Sequence, residues 1–144
     1  LRNLERYAVR TGGAHNHRDM LGSAVLIKDN HIEAAGGITT AIEKAREHCP
    51  HTARIEVEVE SLEQLDEALT ARADIVMLDN FATEQLGDAV SRARGKAIVE
   101  VSGGINLSSI AALAVHGVDV ISIGALTHSA PAADIALDIE RLGA

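Results

Sequence analysis

Aromatic residues and cysteine are nearly absent from this sequence. Tyr7 and Phe81 are the only aromatic residues among 144, and there is no tryptophan. Many proteins that bind single-stranded nucleic acids stack the bases on aromatic side chains, and this mode of binding is nearly excluded here. Cys49 is the one cysteine, so the sequence excludes an intrachain disulfide bond and a cysteine-based zinc site.

Basic charge and long apolar runs are missing as well. Thirteen lysines and arginines stand against 21 aspartates and glutamates, which gives a formal net charge of −8. Nucleic-acid or membrane-surface binding would need a basic footprint, so neither partner is expected. No stretch approaches the ~18 apolar residues of a transmembrane helix. An apolar fraction of 47% and a charged fraction of 24% predict one globular domain, which we expect in the cytoplasm.

Short apolar runs alternate with helical patterns along the whole chain. The runs that predict buried strands are 24–27, 55–60, 74–78, 97–101 and 118–123. Apolar spacing predicts helices at the start of the chain, after residues 38, 61, 83 and 108, and over 133–142. Thr40 and Ser61, each followed three residues later by Glu43 or Gln64, are predicted to cap two of these helices. Strand–helix alternation with such short spacing favours an α/β fold, a partial, TIM-like (β/α) barrel with parallel strands. A regular barrel has eight strands, so about three further units would be needed to close it.

Charged residues and glycines follow the predicted strands directly. Lys28 follows the first run, Asp79 the third, Ser102 the fourth and Gly124 the fifth. In parallel α/β folds the carboxyl ends of the strands form the rim at which ligands bind. The sequence therefore predicts a ligand site at this rim.

Three glutamates alternate with valines in the second run. Glu56, Glu58 and Glu60 share one strand face, because a strand repeats every two residues. In a barrel that face points inward, where an unpaired carboxylate is costly, so cationic or metal partners are expected near the mouth. With Lys28 and Asp79 they suit a substrate that develops positive charge or that brings a divalent ion.

Two glycine-containing turns follow the last two strands. Paired glycines after Ser102 allow positive φ angles, so that consecutive N–H groups can form an anion-binding nest. Two adjacent loops of this kind match the usual phosphate site of phosphate-binding barrels. The predicted loops, which could also be simple turns, are Ser102, Gly103 and Gly104, and Ile123, Gly124 and Ala125.

A polar loop precedes the first predicted strand. His15 and His17 are two residues apart and could bind a metal, although no further ligand stands beside them. Arg18 is the better candidate there, because arginine binds carboxylate or phosphate through two parallel hydrogen bonds.

These residues also carry a resemblance to a known family. The motifs are Asn16-His17-Arg18, residues 26–32 (LIKDNHI), Glu56-Val57-Glu58-Val59, Leu78-Asp79-Asn80-Phe81, Ser102-Gly103-Gly104-Ile105 and residues 124–128 (GALTH). In this order they resemble quinolinate phosphoribosyltransferase, also called nicotinate-nucleotide pyrophosphorylase (carboxylating). The resemblance runs from the first residues to the last predicted helix.

The resemblance implies a particular domain organisation. Residues 1–144 would be the C-terminal (β/α) barrel domain, a fragment without the N-terminal α/β sandwich domain and the first barrel units. In the family a basic segment upstream supplies an arginine and a lysine for the substrate carboxylates. The N-terminal domain lends an arginine to the neighbouring subunit, so a homo-oligomer, a dimer or higher, is expected.

The resemblance also implies a reaction. The family transfers phosphoribose from phosphoribosyl pyrophosphate to the ring nitrogen of quinolinate, with Mg²⁺ as cofactor. Decarboxylation gives nicotinate mononucleotide, pyrophosphate and CO₂, the entry to NAD biosynthesis. The family is therefore a class of pentosyltransferases.

By position, the resemblance implies roles for individual residues. His17 and Arg18 would bind the quinolinate carboxylates, and Lys28 would face the substrate and its pyrophosphate group. Glu58 and Asp79 would stabilise the ribosyl centre, bind the ribose hydroxyls and help to place Mg²⁺. Lys28, Glu58 and Asp79 are thus the expected catalytic residues, and the two glycine loops would bind the 5′-phosphate.

Two other readings of the sequence remain open. One is a related phosphoribosyltransferase with another aromatic acid as acceptor. The other is a non-catalytic phosphate-binding barrel fragment that keeps the Ser102-Gly103-Gly104 loop without the chemistry.

Overall fold

Five parallel strands form one sheet in the computed structural model, which describes residues 1–140. The strands are β1 (Val25–Ile27), β2 (Ile55–Val59), β3 (Ile75–Asp79), β4 (Ile98–Ser102) and β5 (Val120–Ile121). They lie side by side in chain order, and each pairs in parallel with the next. Within the described residues β1 and β5 each have one neighbour, so the sheet is an open arc, as predicted for part of a barrel.

Seven helices accompany the strands in residues 1–140. They are α1 (Arg2–Thr11), α2 (Asp29–Ala35), α3 (Ile38–His48), α4 (Leu62–Thr70), α5 (Thr83–Ala93), α6 (Ile110–Ala114) and α7 (Ala125–His128). The strand predictions at β1 to β4 are confirmed to within one residue at every end. The predicted helices at the start of the chain and after residues 38, 61, 83 and 108 are confirmed as well.

The core lies between the outer face of the sheet and helices α3, α4 and α5. Val57, Val76 and Leu78 project to this face and are fully buried. Leu65 of α4 and Leu86 of α5 are equally buried and belong to the same apolar cluster. The period-two pattern of the strands therefore directs the valines and leucines under the helices.

The opposite, inner face of the sheet is formed by the alternate residues. The strand register places Glu58, Met77 and Glu100 side by side on β2, β3 and β4. Glu56 lies one pleat below, beside Ile75. The prediction that the strand glutamates share the inward face is confirmed by this register for Glu56 and Glu58. Glu60 lies just beyond the end of β2 and is exposed, so for Glu60 the prediction is wrong.

The predicted N-terminal caps agree with the structure at one helix and not at another. Ser61 Oγ accepts a hydrogen bond from Gln64 N at 3.2 Å, so the predicted cap of α4 is confirmed. A cap at Thr40 is wrong, because α3 begins at Ile38 after Gly37. Helix α2 was not predicted, since its sequence DNHIEAA contains few apolar residues at helical spacing.

The C-terminal part of the chain departs most from the prediction. The fifth strand is confined to Val120–Ile121, because β4 is its one neighbour in the described sheet. The helix predicted over 133–142 is wrong for residues 133–140, which form neither helix nor strand; residues 141–142 lie outside the described residues. Ile135, Leu137 and Ile139 are 85–89% exposed, and a short helix without a surface to pack against is marginal. No described helix is long and apolar enough to cross a membrane.

Candidate active site

The predicted site residues meet at the carboxyl ends of the strands. Glu58 is the fourth residue of β2, Asp79 ends β3 and Ser102 ends β4. Asp79 and Ser102 are register partners on neighbouring strands. The parallel topology therefore brings together residues that are up to 44 positions apart in sequence (102 − 58 = 44).

Lys28 and Glu58 form an ion pair at this rim. Lys28 directly follows β1 and precedes the first residue of α2. Its Nζ donates to Glu58 Oε2 at 2.7 Å. The side chain of Glu58 is 17% exposed and that of Lys28 is 46% exposed, so this pair remains accessible to a ligand. The predicted cationic partner for Glu58 is confirmed.

His17 lies between two buried carboxylates on the inner face. Its Nε2 is 3.4 Å from Glu56 Oε2 and 3.5 Å from Glu100 Oε1. Both glutamates are 4% exposed, and Ser122 Oγ also donates to Glu100 Oε1. The second oxygen of Glu56, Oε1, is buried without a hydrogen-bond partner among the described residues.

These contacts fix the charge of His17. The approach of Nε2 to the Glu100 carboxylate and then to the Glu56 carboxylate raises the pKa of His17 to about 10, against the opposing effect of burial. Burial also opposes ionisation of Glu100, but the contacts with His17 and Ser122 outweigh it and lower the pKa of Glu100. At neutral pH the cluster therefore holds an imidazolium beside ionised Glu100.

The same three side chains form a candidate metal donor set. His17, Glu56 and Glu100 place one nitrogen and two oxygen atoms within 4.8 Å of one another. A metal ion would require the neutral imidazole, whereas the surrounding carboxylates favour the protonated ring. Within residues 1–140, His15 joins no such group, so the structure does not bring the two histidines of the polar loop to one metal.

The residues that follow β3 and β4 lie in close contact with each other. Asn80 adopts a left-handed conformation with φ 53°, donates from its N–H to Ser102 O at 3.1 Å, and donates from Nδ2 to Asp79 Oδ2 at 2.8 Å. Gly103 has φ +98°, and a Cβ there would lie 2.9 Å from Asn80 N. Glycine is therefore required at position 103 by both conformation and space.

The two predicted glycine loops differ in backbone conformation. Gly103 and Gly104 both have positive φ angles, as predicted. Gly124 has φ −60° and directly precedes α7, and a Cβ there would lie 3.0 Å from His128 Nε2. In residues 1–140 the N–H groups of Gly103, Gly104 and Gly124 donate to no backbone carbonyl.

Arg18 lies outside the ion pairs at the rim. Its Nη1 is 3.5 Å from the carbonyl oxygen of Ala24, and the side chain forms no ion pair with the described residues. Arg18 is therefore the sequence neighbour of His17, but its guanidinium does not contact the carboxylates of Glu56 and Glu100.

Glu100 is the site residue that sequence reasoning missed. It occupies the middle of the buried strand β4, where a carboxylate among valines is a signal of the same kind as Glu56 and Glu58. The apolar run 97–101 contains one glutamate rather than three, so it lacks the alternating pattern of charged residues that marks β2. Its pairing with His17, 83 residues away (100 − 17 = 83), depends on tertiary structure.

An open parallel sheet with helices between its strands, and with polar and charged residues at the carboxyl ends of the strands, defines a partial (β/α) barrel protein. A family model described as quinolinate phosphoribosyl transferase, C-terminal domain, matches residues 1–138. The chain belongs to this family.

Curated relatives carry the corresponding name. The chain is 49% identical over 145 residues to the probable nicotinate-nucleotide pyrophosphorylase (carboxylating) of Methanocaldococcus jannaschii, covering 96% of this chain and 51% of that protein. It is 41% identical to the nicotinate-nucleotide pyrophosphorylase (carboxylating) of Homo sapiens, covering 96% of this chain and 48% of that protein. The chain thus spans about half the length of these relatives.

Solved structures agree with the fold. The nicotinate-nucleotide pyrophosphorylase of Francisella tularensis superposes with a TM-score of 0.81 at 55% identity, over 84% of this chain and 43% of that chain. NadC of Streptococcus pyogenes superposes with a TM-score of 0.82 at 44% identity, over 90% of this chain and 45% of that chain. The partial (β/α) barrel prediction is confirmed by these neighbours.

Proposed function

We propose that the protein carrying this chain transfers phosphoribose from phosphoribosyl pyrophosphate to quinolinate and that decarboxylation yields nicotinate mononucleotide. The observation that carries the proposal is the membership of residues 1–138 in the quinolinate phosphoribosyl transferase family. The bond from ribose C1 to pyrophosphate breaks as the bond to the quinolinate nitrogen forms, and CO₂ leaves afterwards. The protein would thus be a pentosyltransferase of NAD biosynthesis, and we place it in the cytoplasm.

Cations at the rim support the binding of a dicarboxylate. His17 is a cation with 39% of its side chain exposed, and Arg18 follows it with its guanidinium outside the ion pairs of residues 1–140. We propose that both bind quinolinate carboxylates. Lys28 would contact the substrate and the departing pyrophosphate, exchanging part of its contact with Glu58 for the more highly charged ligand.

Carboxylates at the rim support a role at the ribosyl centre. Loss of pyrophosphate leaves positive charge on ribose, which Glu58 and Asp79 would stabilise electrostatically. Both project from the same face, since Glu58 pairs with Met77 and Asp79 lies two residues further along β3. Their removal should therefore slow the chemical step.

Glu58 and Asp79 also suit magnesium that arrives with the substrate. Each has one oxygen engaged, by Lys28 Nζ at 2.7 Å and by Asn80 Nδ2 at 2.8 Å respectively, so another carboxylate oxygen is left for an ion. Mg²⁺ prefers oxygen ligands and commonly binds through one or two carboxylates together with substrate phosphates. Magnesium would neutralise the pyrophosphate as it leaves.

The 5′-phosphate would lie against the loops that follow β4 and β5. The loop residues are Ser102, Gly103 and Gly104, and Ile123, Gly124 and Ala125. The N–H groups of the three glycines in these loops donate to no backbone carbonyl of residues 1–140. Unpaired N–H groups at a turn are donors for an anion.

The relatives' greater length supports a shared site. Because the chain spans about half of them, we propose that further cations for the two polyanionic substrates come from the remainder of the protein. A homo-oligomer, a dimer or higher, would complete each site with an arginine of the neighbouring subunit.

The proposal is tested by product formation. The polypeptide would be expressed over its whole reading frame and supplied with quinolinate, phosphoribosyl pyrophosphate and Mg²⁺, and nicotinate mononucleotide would be measured. We expect product from the wild type and its loss in Lys28→Ala. Lys96→Ala is the matched control, because Lys96 precedes β4 at the opposite end of the sheet, and it should retain activity.

A folded wild type that binds phosphoribosyl pyrophosphate without forming product would contradict the proposal. That result would favour a phosphate-binding barrel without this chemistry. Product from nicotinate or another aromatic acid, but not from quinolinate, would indicate a related phosphoribosyltransferase.

A further inference from the structure

We propose that Asn80 is a positioning residue, whose side-chain amide holds the carboxylate of Asp79 in one orientation at the rim without cancelling its charge. The part that this carboxylate plays in turnover rests on the proposed function, whereas the contacts of Asn80 do not. Asn80 belongs to the motif of residues 78–81, but the resemblance implies no role for it.

The first argument is the number of partners that hold each carboxylate at the rim. Glu58 accepts a hydrogen bond from Lys28 Nζ at 2.7 Å. Asp79 forms no ion pair within residues 1–140, and there its carboxylate accepts one hydrogen bond, from Asn80 Nδ2 at 2.8 Å. The last torsion of an aspartate side chain is broad, so without this bond the carboxylate would rotate.

The second argument is the chemistry of the donor. An asparagine amide is neutral, so it orients a carboxylate without neutralising it. A lysine or arginine in its place would form an ion pair and would compete with positive charge on the ribosyl centre. The Asn80 amide occupies Oδ2 of Asp79 and leaves Oδ1 for the ligand. Asp79 thus keeps its charge and has a fixed direction.

The third argument is that Asn80 is itself held on two sides. Its backbone is left-handed, with φ 53°, which asparagine adopts more readily than most residues. Its N–H donates to Ser102 O at 3.1 Å on the neighbouring strand. A Cβ at position 103 would lie 2.7 Å from Asn80 Cγ, so the amide fills the space that Gly103 leaves open. The amide is therefore fixed before it orients Asp79.

A second left-handed residue on the same strand connection provides a matched control. Arg72 has φ 63° and lies shortly before β3 at the opposite end of the sheet, where it is exposed. Glycine adopts this conformation without steric cost. Asn80→Gly and Arg72→Gly therefore make the same backbone change at the two ends of β3, and Asn80→Gly alone removes the amide beside Asp79.

The kinetic test uses the polypeptide expressed over its whole reading frame, supplied with quinolinate, phosphoribosyl pyrophosphate and Mg²⁺. In Asn80→Gly we expect kcat to fall about tenfold, because a hydrogen bond to a charged group is lost. The KM for quinolinate should change far less, and Arg72→Gly should retain the wild-type kcat. Asn80→Asp keeps the shape of the side chain but replaces the donor by a carboxylate oxygen, so its kcat should fall at least as far.

A double-mutant cycle separates positioning from a general effect on the rim. If Asn80 acts through Asp79, adding Asn80→Gly to Asp79→Ala should not lower the residual kcat any further. Two independent losses would multiply instead. Thermal unfolding of each variant accompanies the kinetics, and Asn80→Gly should unfold cooperatively, as the wild type does.

A second measurement needs no turnover. The mobility of the Asn80 side-chain amide would be measured by ¹⁵N NMR relaxation without substrates, with Asn80→Gly to assign its signal. We expect an order parameter near that of rigid backbone, about 0.85, which falls toward about 0.6 in Asp79→Ala. The exposed amide of Asn3 in α1 is the mobile reference within the same molecule.

An Asn80 amide as mobile as that of Asn3 in the wild type would overturn the proposal. So would a wild-type kcat in both Asn80→Gly and Asn80→Asp, or multiplied losses in the cycle with Asp79→Ala. Failure of the proposed function is recognised separately, as absence of product from a wild type whose Asn80 amide is rigid; the orientation of Asp79 by Asn80 would then stand without that reaction.

Discussion

The two faces of the sheet are built from the same strands, yet they differ in almost every property. On the outer face of β2, Val57 and Val59 are fully buried under helices. On the inner face of the same strand, Glu56 and Glu58 contact His17 and Lys28. A period of two residues is sufficient to separate packing from chemistry along one strand.

The energetic contributions of the two faces differ accordingly. Burying a valine or leucine completely stabilises the fold by about 1.5–3 kcal/mol. A half-exposed ion pair such as Lys28 with Glu58 contributes about 0–1 kcal/mol, and a buried pair is often no better than apolar residues of similar size. The charged inner face is therefore better explained by binding and catalysis than by stability.

The largest effect is expected on the outer face. Leu78 of β3 is fully buried, so Leu78→Ala should lower the free energy of unfolding by about 2–5 kcal/mol. Urea titration measures this change. Leu107→Ala is the control, because Leu107 is 94% exposed and its loss should change stability by at most about 0.5 kcal/mol. Equal effects would show that the outer face is not the core.

A change on the inner face should instead affect turnover. Glu58→Gln should lower kcat for quinolinate by about 100-fold, because charge stabilisation at the ribosyl centre is lost. The KM for phosphoribosyl pyrophosphate should change far less, and the free energy of unfolding by no more than about 1 kcal/mol. Steady-state kinetics with Glu60→Gln in parallel provides the measurement; an unchanged kcat would remove Glu58 from the proposed mechanism.

A third variant tests the close contact between Gly103 and Asn80, which follow β4 and β3 at the rim of the sheet. Gly103→Ala introduces a Cβ that would lie 2.9 Å from Asn80 N, in addition to the cost of about 1 kcal/mol for a positive φ angle. Gly104→Ala carries a positive φ angle of +59° with nothing within 4 Å of its Cβ. Thermal unfolding should therefore show a clearly larger loss for Gly103→Ala. Similar losses would mean that the Asn80 contact imposes no constraint.

The outer face could be predicted from sequence far better than the inner one. Apolar runs located β1 to β4 because burial on one or both faces requires such residues at every second position at least. Helix α2 escaped prediction since its sequence, DNHIEAA, has no apolar stripe. The helix expected over 133–142 has such a stripe, but residues 133–140 find no surface to cover.

At the site, sequence position identified residues but not their partners. Lys28, Glu58 and Asp79 were recognised because each stands at or near a strand end, where parallel topology gathers them. The contact of His17 with Glu100 joins a loop to the fourth strand, and no local pattern encodes it. The sequence also does not show what Gly124 is needed for, because a glycine after a strand can serve close approach, here to His128, as well as a positive φ angle.

The smallest effect is a pH dependence of stability that belongs to the inner face alone. The pKa of His17 is raised from 6.5 to about 10 in the folded protein, so its stabilising contribution is complete below about pH 6.5 and is lost as the pH rises through 10. The free energy of unfolding of the wild type should fall between pH 7 and pH 10. Since the side chain is 39% exposed, solvent screening keeps this fall modest.

His17→Asn should remove that part of the slope, whereas His15→Asn, an exposed change in the same loop, should retain it. Urea titrations at several pH values measure both. The lowered pKa of Glu100, for which the contacts with His17 and Ser122 outweigh burial, has the opposite sign, so its contribution disappears as the pH falls below about 4.5. Leu78→Ala should displace the whole curve downward without changing its slope at alkaline pH. A wild-type slope in His17→Asn would show that the imidazolium between the two carboxylates does not contribute to folding.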